Sequence, residues 1–285
     1  MIRSDWETFY RWDWFHREQW RGGFRDRKRG EHGGSCRAVK EMLGEMGGEL
    51  ALDCSCGLGL KTIVLKEMGV NVVGSDACAY AVEKARELAR LEGHAELEFF
   101  TSAWGELPKR TELRFDAVFN DALCWTPTRE EFAASLQGCL EALNPGGILV
   151  FFGAEKGSPS DPESRKAFFE EFWQSRPKFA VEWTHEVDGV RCTSIYVRER
   201  GDMYVDGHHL FLIEDHGQHR LETATIRKPV YWDWETLESL FSDAGFSDLT
   251  TRTFPGLGNG GADITLNVAR SFPMGSAPTV PELSS

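Results

Sequence analysis

A chain of 285 residues, 41% of them hydrophobic, is long enough to bury roughly three quarters of its unfolded surface, and one elaborated domain is expected rather than several. Acidic residues outnumber basic ones by 45 to 32, a formal charge of -13, which argues against a nucleic-acid partner and for a small or cationic ligand. Seven cysteines sit mostly in apolar runs such as "DCSC" and "GCL" and read as core residues of a reducing, cytoplasmic compartment; Cys54 and Cys56 are too close for zinc-finger spacing, so no metal site is expected.

The chain opens with "SDWETFYRWDWFHREQWRGGFRDRKRG", which places Trp6, Tyr10, Trp12, Trp14 and Trp20 among many charges. Residues 1–45 are expected to form a helical cap. Its aromatic rings suit either a positive centre held over a ring face or plain packing on the domain. Arg25, Arg27, Lys28 and Arg29 read as a solvated charge run. No long apolar segment is present here, so neither a secretory signal nor a membrane partner is expected.

From Leu50 the pattern alternates strand and helix, and residues 46–177 are expected to form the core. "LALDC" is a short buried strand, "LKTIVLKEMG" a helix that stops at Gly69, and "VNVVGSD" a second strand ending at Asp76. "AYAVEKARELARLEG" is a helix with Val82, Ala85, Leu88 and Leu91 as its apolar stripe and Gly93 as its stop. Strands at "AELEFFTSAW" and "FDAVFND", the helix "REEFAASLQGCLEAL", the turn "NPGG" and the strand "ILVFFGA" follow. Continuous apolar strands separated by helices predict an α/β fold, a parallel sheet covered on both faces. Residues 178–230 switch to two-residue alternation with turns at Asp188-Gly189, Gly201-Asp202 and His216-Gly217, which predicts an antiparallel flap. Residues 231–272, with the helix "WETLESLFSDAG" and two strands, complete the core sheet, and the Pro/Ser-rich segment 273–285 is expected to be disordered.

Ligands of such sheets bind at the carboxyl ends of the strands. Ser55, Gly57 and Gly59 form a tight strand-to-helix turn where a ligand can approach backbone, and Asp76 stands where a carboxylate can accept both hydroxyls of a ribose. A nicotinamide enzyme would carry a third glycine where Thr62 stands. A turn with only a structural purpose fits the same residues.

Four strand ends together, "LDCSCGLG", "VVGSDAC", "FFTSAW" and "FDAVFND", followed by "LNPGGILVFF", resemble the class I S-adenosylmethionine-dependent methyltransferases over Leu50 to Phe152. The resemblance implies a Rossmann-like, doubly wound seven-stranded sheet, here with the antiparallel flap inserted after the fifth strand. It implies S-adenosylmethionine as cofactor, held by Asp53, Ser55 and Gly57 at its methionine part, by Asp76 and Ala77 at the ribose, and by Ala103 and Trp104 at the adenine. Asn120 belongs to the same cofactor set and, with Asp121, lines the reaction centre. The family's commoner glycine is replaced by Ser55. "SAWGEL", the aromatic amino-terminal segment and the late flap resemble the glycine/sarcosine N-methyltransferase group, which places a tyrosine where Tyr10 stands. The arginine this group uses for an amino-acid carboxylate aligns near Ala154, so glycine itself is not the implied substrate.

The expected reaction is in-line methyl transfer to a small-molecule acceptor, an amine or amino-acid-like nitrogen, in which holding the reacting atoms in line contributes most. Tyr10, Asp121 and Tyr196 are the candidate catalytic residues, with His185 as a further proton acceptor, and Trp125, Arg191 and Arg227 are the candidates for binding substrate. His208, His209, His216 and His219 read as solvent-exposed histidines rather than metal ligands. An O- or S-methyltransferase, a nicotinamide oxidoreductase and a binding module without catalysis remain as alternatives.

Overall fold

The computed structural model describes residues 5–18, 24–153, 161–201, 204–229 and 232–272, with the side chains of 18, 24–31 and 259 outside the description. Trp20, Ala154, Asp202, the side chains of the charge run at Arg25, Arg27, Lys28 and Arg29, and the segment 273–285 therefore lie outside the described residues. Two helices come first, α1 (Trp6–Glu18) and α2 (Phe24–Glu45).

The core then alternates β1 (Leu50–Asp53), α3 (Leu60–Glu67), β2 (Asn71–Asp76), α4 (Ala79–Leu91), β3 (Phe99–Thr101), α5 (Leu107–Arg110), β4 (Phe115–Asn120), α6 (Arg129–Ala142) and β5 (Leu143–Phe151). After α7 (Pro162–Gln174) come the flap strands β6 (Phe179–Val187), β7 (Val190–Arg200), β8 (Tyr204–Asp215) and β9 (Gln218–Pro229). The chain returns to the core with α8 (Trp234–Ala244), β10 (Phe246–Phe254) and β11 (Ile264–Ser271).

The large sheet has the order β10-β11-β5-β4-β1-β2-β3. β1 pairs parallel with both β2 and β4, and β11 runs antiparallel between β5 and β10. The order reverses at β1, where crossovers turn from one side of the sheet to the other and leave a crevice beyond the strand ends. Alternate strand residues feed opposite faces. Ala51, Val72 and Ala117 pack with α2, α3 and α4, whereas Leu52, Val73 and Val118 pack with α6 and α8. The Rossmann-like doubly wound fold implied by the sequence is thus the observed one.

Two expectations are corrected. Leu91 is 54% exposed, because steps of three residues lag the helical repeat by about 60° each, and by the third step from Val82 the side chain has rotated off the buried face. "NPGG" does not end the helix as a free turn; it lies within the start of β5, where the pairing with β4 shifts register and Gly146 adopts a positive φ of 82°.

The flap is a four-stranded antiparallel sheet in chain order. At Asp188-Gly189 and His216-Gly217 both residues have positive φ (50° and 81°; 46° and 81°), the primed turn that matches the twist of a hairpin. Helix α1 lies between this sheet and the core. Trp12, 5% exposed, donates from Nε1 to Glu222 at 2.8 Å and packs on Phe211, while Trp14 on the core side lies under Lys84. No helix among the described residues is long and apolar enough to cross a membrane.

Candidate active site

The carboxyl ends of β1 and β2 bring Asp53 and Asp76 to the crevice. Asp76 accepts the Gly57 amide at Oδ2 (3.0 Å) and the Cys78 amide at Oδ1 (2.9 Å). Burial pushes its carboxyl above the usual range, and those two amides oppose the shift. Tyr10, reaching in from α1, places its hydroxyl 3.5 Å from Asp76 Oδ2. Gly57 has φ 51°, and a Cβ there would stand 3.1 Å from the Tyr10 hydroxyl, so both the backbone and the neighbour demand glycine. Tyr10 is itself buried enough that its phenol is raised well above its ordinary value, with Asp76 adding to the shift, and it stays protonated as a donor.

Asp53 is fully buried. Its Oδ2 accepts the Thr62 hydroxyl at 2.8 Å, so the residue that breaks the dinucleotide glycine pattern serves to hold this carboxylate. Its Oδ1 has no hydrogen-bond partner among the described residues, and burial raises the carboxyl to about 6 against the pull of Lys61. Asn120, at the end of β4, is likewise buried; its Oδ1 accepts the Ala122 amide at 3.1 Å and its Nδ2 is unpaired. Ala77 and Ala103 are exposed just past the ends of β2 and β3. Trp104 turns its indole inward and donates to the Cys54 carbonyl at 2.7 Å.

Lys61, which sequence reasoning missed, occupies the first turn of α3 and is 7% exposed. Its ammonium meets Asp121 Oδ2 at 2.6 Å and the Ser55 carbonyl at 3.3 Å. Ser55 Oγ donates to Asp121 Oδ1 at 2.8 Å and accepts the Asp121 amide at 3.0 Å, which gives a reason for serine in place of the commoner glycine. Burial would push Asp121 up, but Lys61 and Ser55 outweigh it and hold the carboxylate below its usual range. Burial would lower Lys61, but Asp121 and Asp53 raise it. The pair is therefore ionised, with both Asp121 oxygens engaged, an arrangement that positions groups rather than one that takes up a proton. The only sequence signal for Lys61 is its place just after Gly59, inside a helix start that faces the crevice.

Beyond Tyr10 the wall is aromatic. Trp6 lies 6.0 Å from Tyr10 and stacks on Trp125 at 6.2 Å, and Trp125, 41% exposed, lies under Lys228 of the flap with the ammonium 3.7 Å from the ring centroid. Phe9 meets His209 at 4.9 Å, and Tyr196 lies 4.8 Å from the same imidazole. Glu182 accepts from Ser194 at 2.9 Å and pairs with His209 at 3.3 Å. Trp125 and Tyr196 thus converge on one compartment with Tyr10, joined by Lys228 and Glu182, which the sequence reading did not select.

Arg191 and Arg227 do not converge there. Arg191 sits at the outer hairpin, where it pairs with Glu186 and Glu214, nine residues along the ladder from the level of Lys228, or about 30 Å at roughly 3.3 Å per residue. Arg227 grips Asp206 through two bonds of 2.7 and 2.6 Å, on the sheet face opposite to Lys228 because successive strand residues alternate. His185 stacks on His16 and Trp183 where the flap meets α1.

Acids at two adjacent strand ends, a glycine turn between them and an aromatic wall above frame one crevice. Residues 51–147 match the methyltransferase domain family. A ubiquinone biosynthesis O-methyltransferase of Alkalilimnicola ehrlichii is 32% identical over 113 residues, 40% of this chain; the chain spans 44% of that curated relative. Among solved structures, the sugar N-methyltransferase KedS8 from Streptoalloteichus shares the fold with a TM-score of 0.64 at 17% identity, covering 92% of each chain. An S-adenosylmethionine-dependent methyltransferase from Clostridium acetobutylicum gives 0.61 at 13% identity over 85% of this chain and 92% of that one. CalS10, an amino pentose methyltransferase of Micromonospora echinaspora solved with S-adenosylmethionine bound, gives 0.56 at 19% over 86% and 93%.

The solved structures show the fold, and a methyltransferase domain like the one matched over residues 51–147 implies S-adenosylmethionine as the cofactor to test against this site. The residues present fit it. Asp53 Oδ1 and Asn120 Nδ2 are buried polar atoms without partners among the described residues, one an acceptor and one a donor, and the missing Cβ of Gly57 leaves open the space beside Asp76 and the Tyr10 ring.

Proposed function

We propose that this chain transfers a methyl group from S-adenosylmethionine to a small-molecule acceptor at an amine or amino-acid-like nitrogen, with the layout of the glycine/sarcosine N-methyltransferase group. The convergence of Tyr10, Gly57 and Asp76 carries the reading: it couples the ribose-binding position to an aromatic lid supplied by the amino-terminal helix. Bound S-adenosylmethionine supplies an electrophilic methyl on a sulfonium. Asp76 and Ala77 would hold the ribose, Asp53, Ser55 and Gly57 the methionine part with Asn120 beside the reaction centre, and Ala103 and Trp104 would flank the adenine.

Tyr10, Trp6 and Trp125 exclude water from the space above, and a positive centre facing such rings gains roughly 0.5 to 2 kcal/mol. Asp121 fixes Lys61 and Ser55, so the acceptor must reach the site with its lone pair free; burial raises the Tyr196 phenol above its ordinary value, and it serves as a hydrogen-bond donor that orients the acceptor. In this division residues 1–45 cap the cofactor, 46–177 and 231–272 make the sheet, and 178–230 close over the acceptor. The O-methyltransferase relative favours an oxygen acceptor as the second reading.

Calorimetry with S-adenosylhomocysteine and methyl transfer from labelled cofactor into a metabolite extract and into total RNA test this. Label should enter the metabolites and not the RNA. Asp76→Ala loses a charge-assisted contact of about 1.5 to 3 kcal/mol and should weaken cofactor binding tenfold or more in a folded protein. Unchanged affinity would remove Asp76 from the site, and label entering RNA would refute the acceptor class.

A further inference from the structure

The inner face of the flap holds two cations that the reading so far leaves without a task. Lys228 on β9 and Arg198 on β7 point to the same face, on either side of β8, at neighbouring levels of the ladder. Between them Gly207 carries no side chain, and its place is taken by the Tyr196 ring, over which the Arg198 guanidinium lies at 5.0 Å. Among the described residues, Lys228 rests on the face of Trp125 and makes no ion pair or hydrogen bond, and Arg198 donates to the Pro177 carbonyl and makes no ion pair. Glu182 acts on Lys228 electrostatically, but its carboxylate is engaged by Ser194 and His209. Every other described arginine of the flap, Arg191, Arg200, Arg220 and Arg227, has a carboxylate partner.

We propose that Lys228 and Arg198 form an oxyanion subsite of the acceptor pocket, so that the acceptor is an anionic small molecule carrying a carboxylate or phosphate at the end remote from the methylated atom. This rests on the methyl-transfer reading for the word acceptor, not for the anion site itself. Two cations on a half-buried face, one seated on a tryptophan ring that stacks onto the lid, are aimed at the same compartment as Tyr10. A half-buried cation pair whose one nearby carboxylate, Glu182, is engaged by Ser194 and His209 is unfavourable, and a ligand oxyanion supplies the direct counter-charge. Burial, with Arg198 adding to it against Glu182, lowers Lys228 to about 8, the direction expected of a cation awaiting an anion. The substrate-binding cation of β9 is thus Lys228, one residue along from the candidate Arg227 and on the other face of the sheet.

Two measurements test it on the full chain saturated with S-adenosylhomocysteine. In the first, protein labelled with 5-fluorotryptophan is titrated with inorganic pyrophosphate and separately with succinate, following the Trp125 resonance assigned by Trp125→Phe. At least one anion should give a saturating shift, and which one responds distinguishes phosphate from carboxylate. Lys228→Met and Arg198→Met should each weaken it about tenfold or more, Lys228→Arg should restore most of it, and S-adenosylhomocysteine affinity should stay within about twofold. No shift with either anion, or a shift indifferent to Lys228→Met, overturns the subsite. In the second, a metabolite extract is split on a strong anion exchanger and offered with labelled cofactor. Label should enter the retained fraction, with Lys228→Met raising KM far more than it lowers kcat. Label confined to the flow-through overturns the proposal. Anion binding that depends on Lys228, with no transfer into any fraction, leaves the subsite standing and removes the methyl-transfer reading instead.

Discussion

Asp53 is held with no exposed surface and one free oxygen, and burial raises its carboxyl to about 6 from an ordinary value near 3.8. Since the folded value lies above the unfolded one, this group's stabilising contribution is fully present below about pH 4 and is lost as pH rises through about 6. A two-unit shift corresponds to about 3 kcal/mol at most. Asp53→Asn should therefore unfold at higher denaturant than the parent at pH 7.5, with the gap closing by pH 4, while cofactor affinity falls. A gap independent of pH in urea titrations would show that the charge of Asp53 is not the cause. Ser55 and Lys61 illustrate what a linear reading leaves hidden. Ser55 stood out as a departure from glycine, but its reason, the hydrogen-bond pair with Asp121, spans 66 positions and exists only once β1 and β4 are neighbours.

At the scale of elements, the strands and crossover helices of the core were legible because each carries its own signal: apolar runs that end in an acid, a glycine after the helix, Thr128 accepting from the Glu131 amide at the start of α6. The flap hairpins were legible for a similar reason, since Asp-Gly and His-Gly stand where positive φ is needed at both turn residues. Helix α7 was not foreseen; only Phe169 among its residues is buried, so its apolar pattern is faint even though Asp161 caps it. Which face a flap strand presents to the site was also hidden, because alternation fixes that two faces exist but not which one meets the core. The packing of α1 decides it. Trp12→Ala would vacate a buried ring position between α1 and the flap and remove one of the donors to Glu222, which Arg11 and Arg220 still pair, and it should cost about 3 to 5 kcal/mol in urea unfolding. A loss below about 1 kcal/mol would mean that the flap is held by other contacts.

At the scale of the molecule, one helix serves two compartments. Tyr10 touches the cofactor crevice, while Phe9 and Trp12 touch the flap, so any restriction of α1 by a ligand in the crevice is felt on β8 and β9. Adding S-adenosylhomocysteine should slow amide exchange in residues 208–213 and 222–226 as well as at the core strand ends. Protection confined to the core would separate the two compartments. The shared wall also fixes an order of events. A cofactor that locks α1 has already met the conformational cost of shaping the acceptor pocket, so the loaded protein should take up its acceptor more tightly than the empty one. By thermodynamic reciprocity, an acceptor bound under the flap must strengthen the hold on the cofactor by the same factor.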